Sequence, residues 1–404
     1  MIPASYNEHL NLKLKYFSQM KKVLTAAILA VTTRAFIGCT KNEVRSISDN
    51  PQAVRFLPLN GKHSTKVMVN GTTYPDNLPF GTLAYYLPSG KNWNANKADA
   101  TLYIPKSEVV HNNGNWEVNG KTYYWPKSGS LTFFAYSPFA HEDRTLLAVD
   151  KVSNGAHDNG IHILDYDVHA HQATDFMVAD IAMDKTANES NGGYTGVPIV
   201  FRHKLSQIVG INFQTVITNG NALVEHDYAN SHSETAGNLE AGDVVFKLKK
   251  VEVKNLYTVG NYVYSGTDDG WMNPTTKKDY HWFDKTPEAF AGNTKFNLTY
   301  KTQDANRNDY LLVLPQPCNS TLNTTPAAED PLIHIEYQVL TYNGTDFSTE
   351  NVSEDVHLYN IHGAIEMNKK ITYNFKINLE NNKIYWAPSV ESWDDLTPDD
   401  IVIK

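Results

Sequence analysis

His162, His169 and His171 stand close together, with Asp165 and Asp167 among them. Imidazole and carboxylate groups at such spacings can hold a divalent metal ion. No cysteine and no Glu-x-x-His pair accompanies them, so a solvated loop is the plainer reading. Asp268-Asp269-Gly270 begins like a calcium loop but lacks the further oxygen ligands and reads as a turn. Cys318, in the run Leu-Val-Leu-Pro-Gln-Pro-Cys, suits a small buried hydrophobe better than a nucleophile. Gly-x-Ser-x-Gly, phosphate-loop and dinucleotide patterns are absent. Carboxylate pairs that could serve a glycosidase are scattered, and no two are marked out. Trp93, Trp116, Trp271 and Trp282 could stack on sugars, though packing explains each singly. No catalytic residue, metal or cofactor is assigned, and a non-enzymatic role is expected.

The one covalent chemistry the sequence points to is lipidation. An ordinary cleaved signal with an incidental cysteine is the alternative, since Phe36, Ile37 and Arg34 depart from the usual lipoprotein signal. Met20-Lys21-Lys22 is basic, Val23 to Val31 is apolar, and Phe36-Ile37-Gly38 leads into Cys39. That order is a secretory signal, and its core falls well short of the ~20 apolar residues that span a bilayer. A cysteine at the cut site takes diacylglycerol on its sulfur, and the mature chain then starts at Cys39. Thr40 stands where an aspartate would hold a lipoprotein at the inner membrane, which favours the outer membrane. Residues 1–19 read as an over-extended start, and residues 1–38 are left out of the fold.

The chain carries a formal net charge of −9, and loss of its basic leader makes it more negative still. An acidic surface of that kind argues against nucleic acid, which needs clustered Lys and Arg. With Cys39 lipidated, Cys318 has no disulfide partner.

The remaining sequence consists of short aromatic and β-branched runs parted by Gly, Asn, Asp and Pro, the pattern of a β-sandwich. Strands are expected at Lys121–Tyr124 after the Asn119-Gly120 turn, at Leu131–Tyr136, and as one run from Val197 to Phe213. In that run Val197, Ile199, Phe201, His203 and Leu205 alternate onto one face, and His203 reads as a neutral, hydrogen-bonded core histidine. Further strands are expected at Val244–Val253, Leu311–Leu314, Leu332–Leu340, Thr372–Leu379 and Ile384–Trp386. Residues 216–243 are polar and rich in Gly and Asn, and read as a linker with a long loop. The expected division is 39–215 and 244–404, two β domains in tandem.

Three ordered blocks carry a family resemblance. Tyr123-Tyr124-Trp125-Pro126 through Leu131-Thr-Phe133-Phe134-Ala-Tyr136-Ser-Pro138 resembles the most recognisable segment of the fimbrillin family of Bacteroidetes, pilins and pilus-like surface lipoproteins. Gln172-Ala-Thr-Asp175-Phe-Met-Val-Ala179 is similar to that family's Gln-x-Asp-Leu-Met-Val-Ala segment, with one extra residue. Phe201-Arg-His203-Lys-Leu205-Ser-Gln-Ile208 is similar to its Phe-x-His-x-Leu-Ser-x-Ile strand, and Lys370 to Trp393 resembles its ending. The resemblance implies an all-β protein of two tandem transthyretin-like sandwiches. Its core motif would be Trp125, Phe133, Phe134, Tyr136, Phe201, His203 and Leu205.

The resemblance also implies assembly with other pilus subunits by donor-strand exchange. A protease removes the first strand, here Gln52–Leu59 with Val54 and Phe56 inward, and a neighbour's strand fills the groove. The basic residues available for cleavage are Lys62 and Lys66 after the strand and Arg45 before it. The tail Asp400–Lys404 could be the donated strand or the last edge of the second domain. A non-polymerising outer-membrane anchor, or a lipoprotein that binds host or microbial surface glycans or proteins, is the alternative. If Cys39 carries the anchor, Cys39→Ser moves the protein out of the membrane fraction of expressing cells, because one residue supplies all the acyl chains. Unchanged membrane partitioning of the variant contradicts the lipoprotein reading.

Overall fold

The computed structural model describes residues 52–60, 74–139, 149–150, 160–172, 175–187, 196–220, 222–225, 240–264, 268–289, 295–300, 310–319, 327–380 and 383–392. Cys39, Arg45, Lys62, Lys66, Trp393 and the tail Asp400–Lys404 lie outside the described residues. Strands dominate. The first part of the chain holds β1 (Phe56–Asn60), β2 (Phe80–Leu87), β3 (Thr101–Asn112), β4 (Asn115–Val118) and β5 (Ser130–Ser137). Then come β6 (Val149–Asp150), β7 (Ile161–Asp167), β8 (Met177–Ala179), β9 (Ala182–Lys185), β10 (Val197–His203), β11 (Ser206–Asn219) and β12 (Ala222–Glu225). The second part holds β13 (Val244–Tyr264), β14 (Asp269–Ala289), β15 (Lys295–Leu298), β16 (Leu311–Val313), β17 (Gln316–Pro317) and β18 (Leu332–Tyr342). It ends with β19 (Phe347–His357), β20 (Ala364–Ile365), β21 (Lys369–Asn378) and β22 (Lys383–Ser392).

Two bodies result. In the first, β2, β3, β4, β1, β10, β8 and β5 are neighbours in that order, and β5 pairs again with β2, so the sheet closes into a ring. Closure satisfies the ladder groups that an open sheet leaves at its edges. Side chains from every strand of the ring meet in one cluster, Phe56, Phe80, Ile104, Trp116, Phe133, Met177 and Phe201 among them. The second body is a sandwich. One layer is built on β11, with β21 and β22 to one side and β12, β15 and β16 to the other. The facing layer is built on β13, between β14 on one edge and β18 with β19 on the other. Ile211, Phe213, Phe375 and Tyr373 of one layer pack on Val251, Val253, Ile335 and Tyr337 of the other.

The two bodies share a core because β5 is buried along its whole length. Leu131, Phe133 and Ala135 point into the ring. Phe134 and Tyr136 point outward into a second cluster with Ile163, Phe176, Leu205, Tyr262, Leu312 and Leu314. An outward aromatic face cannot be left in water, so another layer must cover it. The long hairpin of β13 and β14 supplies that layer, each strand 21 residues long, roughly 70 Å if extended. Its near half pairs with β18 inside the sandwich, and its far half pairs with β7 against the ring. Gln172 completes the seam. Its amide donates to Val168 O and Leu312 O at 3.0 and 2.7 Å and accepts from Leu312 N at 2.9 Å. A buried side-chain amide thereby stands in for a missing strand partner.

Several expectations need correction. Lys121–Tyr124 forms no strand, and only Tyr124 makes an isolated bridge, to Ala53. The hairpin turn lies instead at Asn113-Gly114, where both residues adopt positive φ (48° and 79°) between β3 and β4. That is what a two-residue hairpin turn requires. Val197–Phe213 is not one strand but two in different sheets, broken at Lys204-Leu205. Leu205 consequently packs in the outer cluster, apart from Val197, Ile199 and Phe201. Residues 216–225 do not belong to a linker, because Val216–Asn219 pairs with Ala222–Glu225 as a hairpin. Ile161–Asp167 is a strand rather than a solvated loop, since its partner β13 lies far along the chain. Phe134→Ala empties a fully buried site and should lower unfolding free energy by ~3–5 kcal/mol, measured by chemical denaturation. A loss below ~1 kcal/mol contradicts the shared-core account.

Candidate functional site

The feature with the clearest functional shape is the place of the first strand in the ring. Alternation along β1 and the residues before it sends Val54, Phe56 and Pro58 inward, while Arg55 is exposed. Val54 and Phe56 are 4 % and 2 % exposed. β1 runs parallel to β10, with Phe56 opposite Val197, Leu57 opposite Pro198 and Pro58 opposite Ile199. On its other edge, Phe56 pairs antiparallel with Trp116 of β4. Upstream, Val54 N donates to Tyr123 O at 2.8 Å, and Trp125 N donates to Gln52 O at 3.0 Å.

The balance of forces on this strand is uneven. Parallel pairing is slightly weaker per residue than antiparallel pairing. Pro58 and Pro198, one on each strand, have no N–H to give. The ladder is therefore thin, and packing does most of the holding. The Phe56 ring meets Phe80 and Phe133 edge-on, with centroids 5.9 and 5.8 Å away and interplanar angles of 89° in both cases. Trp125 stands 5.9 Å from Phe133, and Tyr74 stacks on Phe201 at 4.9 Å. Edge-to-face pairs contribute ~0.5–1.5 kcal/mol each beyond the area they bury. Gly196 lets β1 come this close. Its φ is +109°, and a Cβ there would lie 2.8 Å from Phe56 C and 2.9 Å from Phe56 O. Backbone atoms cannot give way, so glycine alone fits.

Of the core-motif residues, Trp125, Phe133 and Phe201 line this place, whereas Phe134, Tyr136 and Leu205 face the sandwich. His203 lies at the end of β10 with its Nδ1 2.6 Å from Asp175 Oδ2, both side chains 2 % exposed. Two buried groups of this kind satisfy each other, and removal of either strands the other. Sequence reasoning placed the strand at Gln52–Leu59, whereas the ladder runs over Phe56–Asn60 with only an isolated bridge at Ala53 before it, and it did not find Gly196, Tyr74 or Phe80. No local pattern marks a glycine whose neighbour in space is 140 residues away in the chain.

The chemistry-bearing residues considered from sequence do not converge. Among the described residues, no three His, Cys, Asp or Glu side chains are placed to hold a metal ion. Cys318 Sγ lies 3.7 Å from His362 Nδ1, the spacing of a nucleophile and its base. Burial pushes the thiol up to about 12 and pulls His362 below its ordinary value, so the sulfur stays protonated at neutral pH. Trp93, Trp116 and Trp282 are buried, and half-buried Trp271 donates its indole N–H to Lys204 O at 2.6 Å. Exposed Tyr385 and Trp386 are consecutive on β22 and so point to opposite faces, forming no common platform.

The sequence matches the family model for fimbrillin-like proteins over residues 65–393. The chain belongs to the fimbrillin-like family, and is a pilus subunit or pilus-associated adhesin of the cell surface. No curated protein matches it. Solved structures resemble it at a distance. A fimbrial protein from Bacteroides vulgatus ATCC 8482 is 18% identical with a TM-score of 0.49, over 85% of this chain and 99% of that one. The tip fimbrial protein Mfa3 from Porphyromonas gingivalis is 10% identical with a TM-score of 0.31, over 78% of this chain and 94% of that one.

Proposed function

We propose that β1 is a provisional occupant of the ring, removed by proteolysis and replaced by a strand from another pilus subunit. The observation that carries this reading is the contrast at β1 between full apolar burial and a thin, parallel, proline-interrupted ladder. A strand held by side chains can be exchanged for another with matching side chains, provided the covalent tether is cut. Membership of the fimbrillin-like family supports a role among pilus subunits. Cleavage at Lys62 or Lys66 frees the strand and leaves the ring otherwise intact, whereas a cut at Arg45, on the strand's other side, trims the leader and leaves β1 tethered. Cys39 anchors the precursor in the outer membrane, and the tail Asp400–Lys404 is either the donated strand or the last edge of the second domain.

An emptied place in the ring exposes unpaired backbone on β4 and β10 above an apolar floor, which is a template for another strand. Lipid-free protein should therefore run as a monomer in size-exclusion chromatography before limited trypsin treatment and as higher oligomers afterwards. A cleaved protein that has lost β1 and stays monomeric contradicts polymerisation and leaves the anchor role in its place.

A further inference from the structure

Tyr74 belongs to no strand and stands in the connection that leads to β2. Connections of this kind normally run over the surface. Its side chain is nevertheless 1 % exposed. The ring stacks on Phe201 at 4.9 Å and meets Trp116 and Phe80 edge-on at 5.4 and 5.7 Å. The hydroxyl shares a hydrogen bond of 2.6 Å with Ser137 Oγ, at the end of β5, where Ser137 is fully buried. A phenol both packed and bonded in this way is fixed in place and in orientation.

The three rings that Tyr74 touches also surround the place of β1. Phe80 and Phe133 form an aromatic box around Phe56. Trp116 is the residue of β4 that pairs with Phe56, and Phe201 is the residue of β10 opposite Asn60. Phe80 packs in addition on Trp116 at 5.6 Å and on Phe201 at 5.4 Å. When β1 leaves, Phe80 and Trp116 lose a neighbour, and a close-packed interior answers such a loss by partial collapse. Collapse here means that these two rings tip into the space of Phe56, which closes the place to another strand. Tyr74 opposes the movement, because it contacts both rings and is itself bonded to β5, which stays. It follows Lys62 and Lys66 in the chain, so a cut at either leaves it in the ring.

We propose that Tyr74 is a positioning residue for strand exchange, propping Phe80 and Trp116 so that the emptied place keeps the shape of Phe56 and stays open to an incoming strand. The role rests on β1 being exchangeable, as proposed above. Its signature is kinetic. A residue that only adds to core packing slows a strand's departure, whereas a prop for the empty ring speeds a strand's arrival.

The test uses the full chain with a specific protease sequence placed in the connection between Asn60 and Tyr74. The chain is cut, freed of β1 in mild denaturant and returned to buffer at high dilution. A labelled peptide of residues 52–60 is then offered to the unsubstituted ring, to Tyr74→Leu and to Tyr74→Phe, and its association and dissociation rates are followed by anisotropy. Tyr74→Leu should lower the association rate by roughly fivefold or more, and Tyr74→Phe, which loses only the bond to Ser137, by about twofold. A smaller fall for Tyr74→Leu, with or without faster dissociation, makes Tyr74 an ordinary core residue and overturns the proposal while leaving exchange intact. If Tyr74→Leu does not fold, Tyr74→Phe decides, and an unchanged association rate refutes the prop. Failure of the 52–60 peptide to bind the unsubstituted ring refutes the exchangeable strand itself, and the proposal falls with it.

Discussion

Burial of β5 on both faces is the constraint from which the rest of the molecule follows. Its inward Phe133 is the wall against which Phe56 rests, and its outward Phe134 and Tyr136 require the sandwich as a cover. A strand of this kind cannot sit at the surface of a single-layer ring, since an exposed aromatic row would be an aggregation surface. The long hairpin of β13 and β14 is the solution the fold adopts, reaching from one body to the other. The described residues between Gln52 and Ser392 fall in one compact unit.

On the role proposed for β1, that rigid wall lets the strand be exchanged without the fold becoming fragile. The site that β1 occupies is shaped mainly by strands which have other partners, β5 with β2 and β8, and β10 with β8. Full burial of one phenylalanine side chain stabilises by ~1.5–3 kcal/mol, so Val54, Phe56 and Pro58 together hold β1 firmly while it is tethered. Cutting the tether turns an intramolecular contact into a bimolecular one, and a competing strand at high local concentration can then win. Gly196 leaves room for a strand backbone to lie directly against it, where any Cβ would collide with the backbone at Phe56.

Much of this was legible in the sequence, and what was missed has a common cause. The alternation of Phe133 and Phe134 across a strand, the burial of His203, and an inward Val54 and Phe56 can all be read from residue type and period two. Pairings between distant segments cannot. Ile161–Asp167 carries histidines and aspartates that look solvated, and only its match to Val259–Tyr264 makes it a strand. The break at Lys204-Leu205 is equally silent, because hydrophobic alternation continues through it while the chain passes from one sheet to another. The aromatic box is assembled from Phe56, Phe80 and Phe133, residues of three separate strands, and no spacing rule connects them. Asn119-Gly120 shows the converse, a strong local hairpin signal that the tertiary structure does not use.

The central claim is that β1 is held by packing and can leave while the ring stays folded. Native-state hydrogen exchange, followed residue by residue after the connection behind β1 is cut, addresses it most directly. The account predicts that amides bonded to the residues leading into β1, Val197 N to Arg55 O and Trp125 N to Gln52 O, exchange through a local opening far faster than those between β5 and β2. If Val197 and Trp125 instead exchange at the same rate as the β5 amides, through global unfolding alone, β1 is an integral strand of the fold and the account is wrong.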